Sequence, residues 1–191
     1  MSALALITAP TAEPVTLTEA KAHLRVTAAD DDTLITSLIV AARHWTEGFT
    51  GRALITQTWD LYLDAFPEWE LTLPKPLLQS ITSIAYTDTN GASQTLATDQ
   101  YLVDSKSEPG RITPAYGLVW PSTRWQTNAV KVRLVAGYAD AAAVPGPIKA
   151  ACLLMLGELY ERRESAIVGT IIDTVPVSAE YLLWPYRSLR F

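Results

Sequence analysis

Cysteine is nearly absent. The 191 residues hold one, Cys152, so an intramolecular disulfide framework is excluded and a reducing compartment suits the chain. Charge is sparse: 18% of residues are charged, the net charge is −5 and the pI is about 5.0. A general nucleic-acid-binding surface needs clustered Lys and Arg, which an acidic chain does not offer. DNA that slides past without being gripped remains compatible with this balance. No apolar run approaches the ~20 residues that span a bilayer. Residues 1–10 are mildly apolar but carry no basic segment, so no signal peptide is expected. There is no Asn-x-Ser/Thr sequon, no phosphate-binding glycine loop, no nucleophile elbow, no HExxH and no internal repeat.

What is present is apolar and well patterned, with a hydrophobic fraction of 49%. Two helical stretches organise the chain. In 31–51, Leu34, Ile35, Leu38, Ile39, Ala42, Trp45 and Phe49 follow the three-and-four spacing of one buried stripe. Asp30, Asp31 and Asp32 are placed to cap its start, and Gly51 to close it in a left-handed conformation. In 147–164, Ile148, Ala151, Cys152, Met155 and Leu159 make a stripe, but Leu153, Leu154 and Leu156 extend the apolar surface round the helix. A helix apolar on all sides is buried on more than one. That predicts either a second subunit on its outer face, contacted by Leu153, Leu154 and Leu156, or a central position inside one subunit. Leu38, Trp45, Phe49, Met155 and Leu159 are the predicted core anchors.

The remaining elements follow in order. Residues 1–14 read as an extended arm, interrupted at Thr8, Pro10, Thr11 and Pro14. Thr16 and Glu19 form a capping box ahead of a short helix, 17–25. After Gly51 the period changes to two. Trp59, Leu61 and Leu63 alternate with polar residues, and Trp69, Leu71 and Leu73 repeat the pattern before Pro74 and Pro76. Strands are predicted at 80–87 and 93–96, joined by a hairpin turn at Asn90-Gly91, then at 101–104, 111–113 and 130–136. Pro145 and Pro147 suit the first turn of the second long helix. The stretch 165–177 is apolar and nearly uncharged, with Ile167, Val168, Ile171, Ile172 and Val175, and it is not expected to face water alone. Ser178 caps a last short helix, 179–184.

These elements predict an α+β fold: a helical core from the N- and C-terminal segments with an inserted, mainly antiparallel β subdomain. The predicted boundaries are 1–14 for the arm, 15–53 plus 139–164 for the helical core, 54–138 for the β-rich insert, and 165–191 for loop, short helix and C-terminal arm.

Chemistry-bearing constellations are few. Consecutive aspartates at a helix start are far more often caps than a cation site, and the alternating ligand spacing of a calcium loop is missing. His23 and His44 lie on different helices with no ligand at metal spacing. Cys152 sits amid Ala151, Leu153 and Leu154, which suits a buried inert thiol rather than a nucleophile. Trp69, Trp120 and Trp125 could stack on sugars, but half-buried sheet and loop anchors are the favoured reading. No catalytic, metal-binding or cofactor-binding residues are therefore expected.

In order, the segments "TLTEAKAHLRV", "DDDTLITSLIVAARHWTEGFTGRALITQTW", "LPKPLLQSITSIAYTDTNG", "YLVDSKSEPGRITPAYGLVWP" and "VRLVAGYADAAAVPGPIKAACLLMLGELYERRE" resemble the tailed-phage head–tail connector (adaptor) family. The likeness is to its long form with a β insert, found also in prophages and gene transfer agents, and it spans about residues 15–188. The resemblance implies a structural virion protein, not an enzyme, with no cofactor. It would be assembled in the bacterial host cytoplasm and sit at the head–tail junction of the virion. It implies a ring of copies, expected to be a dodecamer, docked under the portal protein, extending the DNA channel and receiving a further connector or tail protein. DNA would pass through the lumen without sequence-specific binding, and no membrane is involved. The expected portal-docking arm is 165–191, with Ile171, Ile172, Tyr181, Trp184, Tyr186, Arg187, Arg190 and Phe191, because aromatics and Arg anchor interfaces. The competing reading folds Leu182, Leu183 and Trp184 back on the chain's own helices. The alternative function is a monomeric β-rich binding module, with carbohydrate as the candidate ligand, on a helical stalk.

Overall fold

The computed structural model describes residues 2–162 and 177–188. The chain forms two compact units, Met1–Pro10 with Thr56–Gly137, and Thr11–Ile55 with Tyr138–Phe191.

The second unit is helical. Helix α1 (Leu17–Leu24) opens on the predicted capping box: the Thr16 hydroxyl accepts from the Glu19 N–H at 3.2 Å, and Glu19 accepts from the Thr16 N–H at 2.7 Å. Helix α2 (Asp32–Thr50) closes on Gly51, whose φ of 73° is the left-handed conformation a glycine adopts without strain. Its start departs from expectation. Asp31 precedes the helix but makes no side-chain cap; its carboxylate accepts from the Tyr160 hydroxyl at 2.5 Å, and Asp32 pairs with Lys21 at 2.5 Å. The aspartates tie the start of α2 to Lys21 of α1 and to Tyr160 instead of capping it. Helix α3 (Gly146–Glu161) starts with Pro147 in its first turn, and α4 (Val177–Leu183) runs into a short 3-10 turn at Trp184–Tyr186.

Helix α3 packs against α1, α2 and α4. This explains its all-round apolar sequence: the helix is central within its own unit. The shared core includes Ile35, Ile39, Ala42, Ile148, Ala151, Cys152, Leu156, Ala179 and Leu183. The buried face of α2 is rotated from the predicted stripe. Ile35, Ile39, Ala42, Arg43, Thr46, Glu47 and Thr50 are buried, while Leu38, Trp45 and Phe49 are half-buried at its flank. The rotation follows from a charge network. Arg43 pairs with Glu13 at 2.7 Å and Glu47 at 2.9 Å, and Glu47 accepts the Leu54 N–H at 2.9 Å. Paired, hydrogen-bonded charges can be buried where lone ones cannot.

The first unit holds two sheets. In one the order is β1-β2-β8-β4-β5, formed by Ser2–Thr8, Gln57–Leu63, Val130–Ala136, Leu78–Thr87 and Ser93–Thr95; in the other it is β3-β7-β6, formed by Leu71–Thr72, Arg111–Pro114 and Tyr101–Asp104. All pairings within them are antiparallel. Along central β8, Val130, Val132, Leu134 and Ala136 are buried, as their alternation predicts. The Asn90-Gly91 turn is present: Gly91 has φ 88°, and Asp88 accepts the Asn90 and Ala92 N–H groups at 2.9 Å.

Two expectations need correction. Residues 2–8 are not an arm by themselves but the edge strand β1, paired with β2. The alternation Ala3-Leu4-Ala5-Leu6 carries period two, weakly, because alanine is a poor strand former. On β2, Asp60 is buried beside Leu61, while Trp59 and Leu63 are only half-buried. Asp60 lies directly opposite Arg133 on β8 and accepts two hydrogen bonds from its guanidinium, both at 2.7 Å. Those bonds hold its carboxyl below the ordinary carboxylate range.

Candidate interaction surfaces

Of the predicted interface residues in the helical unit, Leu156 turns inward. Leu156 is 1% exposed in the unit's own core, so it is not available to another subunit. Leu153, Leu154 and Met155 are half-buried and packed on that core, and Leu159 is half-buried. Cys152 is buried against the Thr46 hydroxyl at 3.3 Å, and burial pushes its thiol up to about 11. A thiol so placed is almost entirely protonated near neutrality and a poor nucleophile.

The C-terminal segment 177–188 is docked on the helices in the manner of the competing reading. Ala179 and Leu183 are fully buried. The Ser188 N–H donates to the Thr50 carbonyl at 2.8 Å, and the Arg52 guanidinium donates to the Tyr186 carbonyl. Trp184 packs edge-on against Phe49, with ring centroids 6.3 Å apart, and Arg187 lies over both rings at 5.1 and 5.4 Å. Tyr181, Trp184 and Arg187 remain exposed and Tyr186 is half-buried. Ile171, Ile172, Arg190 and Phe191 lie outside the described residues, as does nearly all of 165–177.

The sheet unit also exposes large apolar groups. Tyr116 and Trp125 are fully exposed, Val119 is 85% exposed and Trp69 61%. The loop that carries Tyr116, Val119 and Trp125 is pinned at intervals, first where the Ala115 N–H donates to the Gln100 carbonyl at 3.0 Å. Trp120 stacks on Phe66 with centroids 4.9 Å apart and donates its indole N–H to the Trp69 carbonyl at 2.8 Å. The Arg124 N–H reaches the Thr87 carbonyl at 3.0 Å, and the Asn128 N–H reaches the Asp64 carboxylate at 3.1 Å. Between these anchors Tyr116, Val119 and Trp125 are held out into solvent. Trp120 is thus the half-buried anchor expected of it; Trp69 and Trp125 are not. Composition could not separate them, because only the stacking partner Phe66 distinguishes Trp120.

Among the described residues, no three His, Cys, Asp or Glu side chains gather as around a metal ion. His44 lies on α2 and His23 on α1, beside Gly157 of α3. Among the same residues no helix is long and apolar enough to cross a membrane. What the described residues present is exposed apolar groups and the edges of a sheet.

Comparison with known proteins agrees with that character. The model of the phage gp6-like head-tail connector protein family matches residues 14–108. The solved neck of an empty gene transfer agent particle, computed with C6 symmetry, contains a chain 25% identical to this one. The match covers 99% of this chain and 97% of that one, with a TM-score of 0.81. Together the two matches support a protein of the phage head–tail connector family. The fold is shared with two further chains. One, in the virion of the native gene transfer agent particle, is 24% identical over 98% and 96% of the chains, with a TM-score of 0.79. The other, in the native neck computed with C12 symmetry, is 23% identical over 99% and 97%, with a TM-score of 0.79. No curated protein sequence matches. The α+β fold with antiparallel sheets is the one the sequence predicts, and the connector family is a structural one.

Proposed function

We infer that this connector assembles as a closed ring at the head–tail junction, docks beneath the portal, extends the DNA channel and receives a tail-side protein. The observation that carries the reading is the end-to-end likeness to a chain of a gene transfer agent neck computed with C6 symmetry. A ring of twelve copies is compatible with that symmetry. The net charge of −5 suits a channel wall, since a basic lumen would bind phosphates and hold the DNA. Exposed Tyr181, Trp184 and Arg187, carried on a docked helix and turn, are the residues proposed to meet the portal. They are presented ready-made rather than by a segment that orders on binding. The test is electron microscopy of the purified chain mixed with its portal. A ring coaxial with the portal supports the reading; a portal that stays bare at saturating chain contradicts it.

A further inference from the structure

The five-stranded sheet is open, with β1 at one edge and β5 at the other. Natural sheets protect such edges with charged side chains, proline, shortness or a covering element, because unpaired backbone N–H and C=O groups template further pairing. Here the charges are on the inside. Asp60 lies on β2, and Lys131 and Arg133 on β8, both interior strands. Ser2–Thr8 has no charged residue and no proline over its seven residues, and Leu6 and Ile7 are each 45% exposed. Ser93–Thr95 is uncharged and wholly exposed. Among the described residues no strand pairs with either outer edge, β5 is guarded only by its shortness of three residues, and the two edges are different.

We propose that β1 of one copy pairs with the β5 edge of the next, so that the sheet continues from subunit to subunit round the ring. The inference rests on the ring reading above. A closed ring joins copies head to tail through two non-equivalent patches, which is what the two edges of one open sheet supply. Pairing of β1 with β1 would close after two copies and cannot propagate. Backbone pairing also needs no apolar face on the helices, which agrees with α3 being buried within its own unit.

The test uses disulfide trapping on rings assembled on the portal. Leu6→Cys is combined with Ser93→Cys, and Ile7→Cys with Thr95→Cys. Within one copy the edges are four strand spacings apart, about 19 Å at ~4.8 Å each, beyond disulfide reach. Buried Cys152 lies in the other unit. After oxidation, a ladder of covalent multimers from at least one double variant, absent from the single variants, is the expected result. Rings visible by microscopy but without a ladder from either double variant would overturn the proposal while leaving the ring reading intact. A dimer from Leu6→Cys alone would overturn it in favour of β1–β1 pairing. Absence of any ring from the unmodified chain would overturn the ring reading and this proposal together. As a second variant, Leu6→Lys places a charge on the edge; it is expected to abolish ring formation while leaving the circular dichroism spectrum and melting midpoint unchanged, and undiminished rings would contradict the proposal.

Discussion

Leu156 and Trp125 show how differently the two units treat large apolar side chains. Leu156 belongs to a helix apolar on every side, yet it is buried because α1, α2 and α4 surround that helix. Trp125 belongs to a loop among polar neighbours and stands in solvent, held there by anchors on either side. The helical unit covers the apolar surplus of α3 internally, leaving Tyr181 and Trp184 of its C-terminal segment exposed. The sheet unit leaves apolar groups and unpaired strand edges outside. Hydrophobicity counted along a helix therefore does not locate an interface; what matters is whether the unit supplies enough neighbours to cover it.

If that contrast is right, the largest stability loss comes from removing a cover. Truncation after Val177 deletes Ala179 and Leu183, both fully buried. Loss of a single buried leucine costs ~2–5 kcal/mol, so the shortened chain should lose the cooperative melting of its helical unit by circular dichroism. Retention of full stability would mean that α4 is an independent arm.

Next in size is the charge network under α2. Arg43→Met removes the ion pairs that Arg43 makes with Glu13 and buried Glu47, and breaking a buried pair costs about 3–5 kcal/mol. Urea denaturation should show this, and a change under ~1 kcal/mol would contradict the burial assigned to that face. Trp45→Ala should cost less, about 1–2 kcal/mol, because the ring is half-buried at the flank and stacked on Phe49 at 5.7 Å rather than fully enclosed. A loss comparable to that of Arg43→Met would restore the stripe read from spacing alone.

In the sheet unit the expected effects are smaller and of another kind. The folded-state pKa of Asp60 is depressed, so its pairing with Arg133 contributes stability that is complete above the ordinary carboxylate pKa and declines as pH falls through and below it. Acid titration of unfolding should show this decline below about pH 4, and Asp60→Asn should flatten it. Smallest of all for stability are Tyr116→Ser and Trp125→Ser, each expected within ~0.5 kcal/mol of the parent by thermal melting. A larger loss from either would mean that these side chains support the fold and are not free for partners.

Much of the fold was legible. The Thr16–Glu19 capping box, Gly51, the Asn90-Gly91 turn and the alternation of 130–136 are local signals, and each has its expected structure. What was illegible was non-local. Burial of Arg43 and Glu47 depends on Glu13, and burial of Asp60 depends on Arg133, so spacing alone read the charged positions as solvent-facing. Strand β1 was hidden because its partner lies far along the chain, at Gln57–Leu63. The helical interface read from Leu153, Leu154 and Leu156 failed at Leu156, since the sequence did not show that three other helices would surround α3. The exposed residues Tyr116 and Val119 carried no signal, because their exposure is set by contacts of their neighbours.

The central claim is that this chain is a ring-forming connector that binds a portal. The most direct measurement is cryo-electron microscopy of the purified chain incubated with its cognate portal protein. The account predicts a closed ring of identical copies on one end of the portal, coaxial with its channel. A chain that remains monomeric beside unoccupied portals at saturating concentration would contradict it.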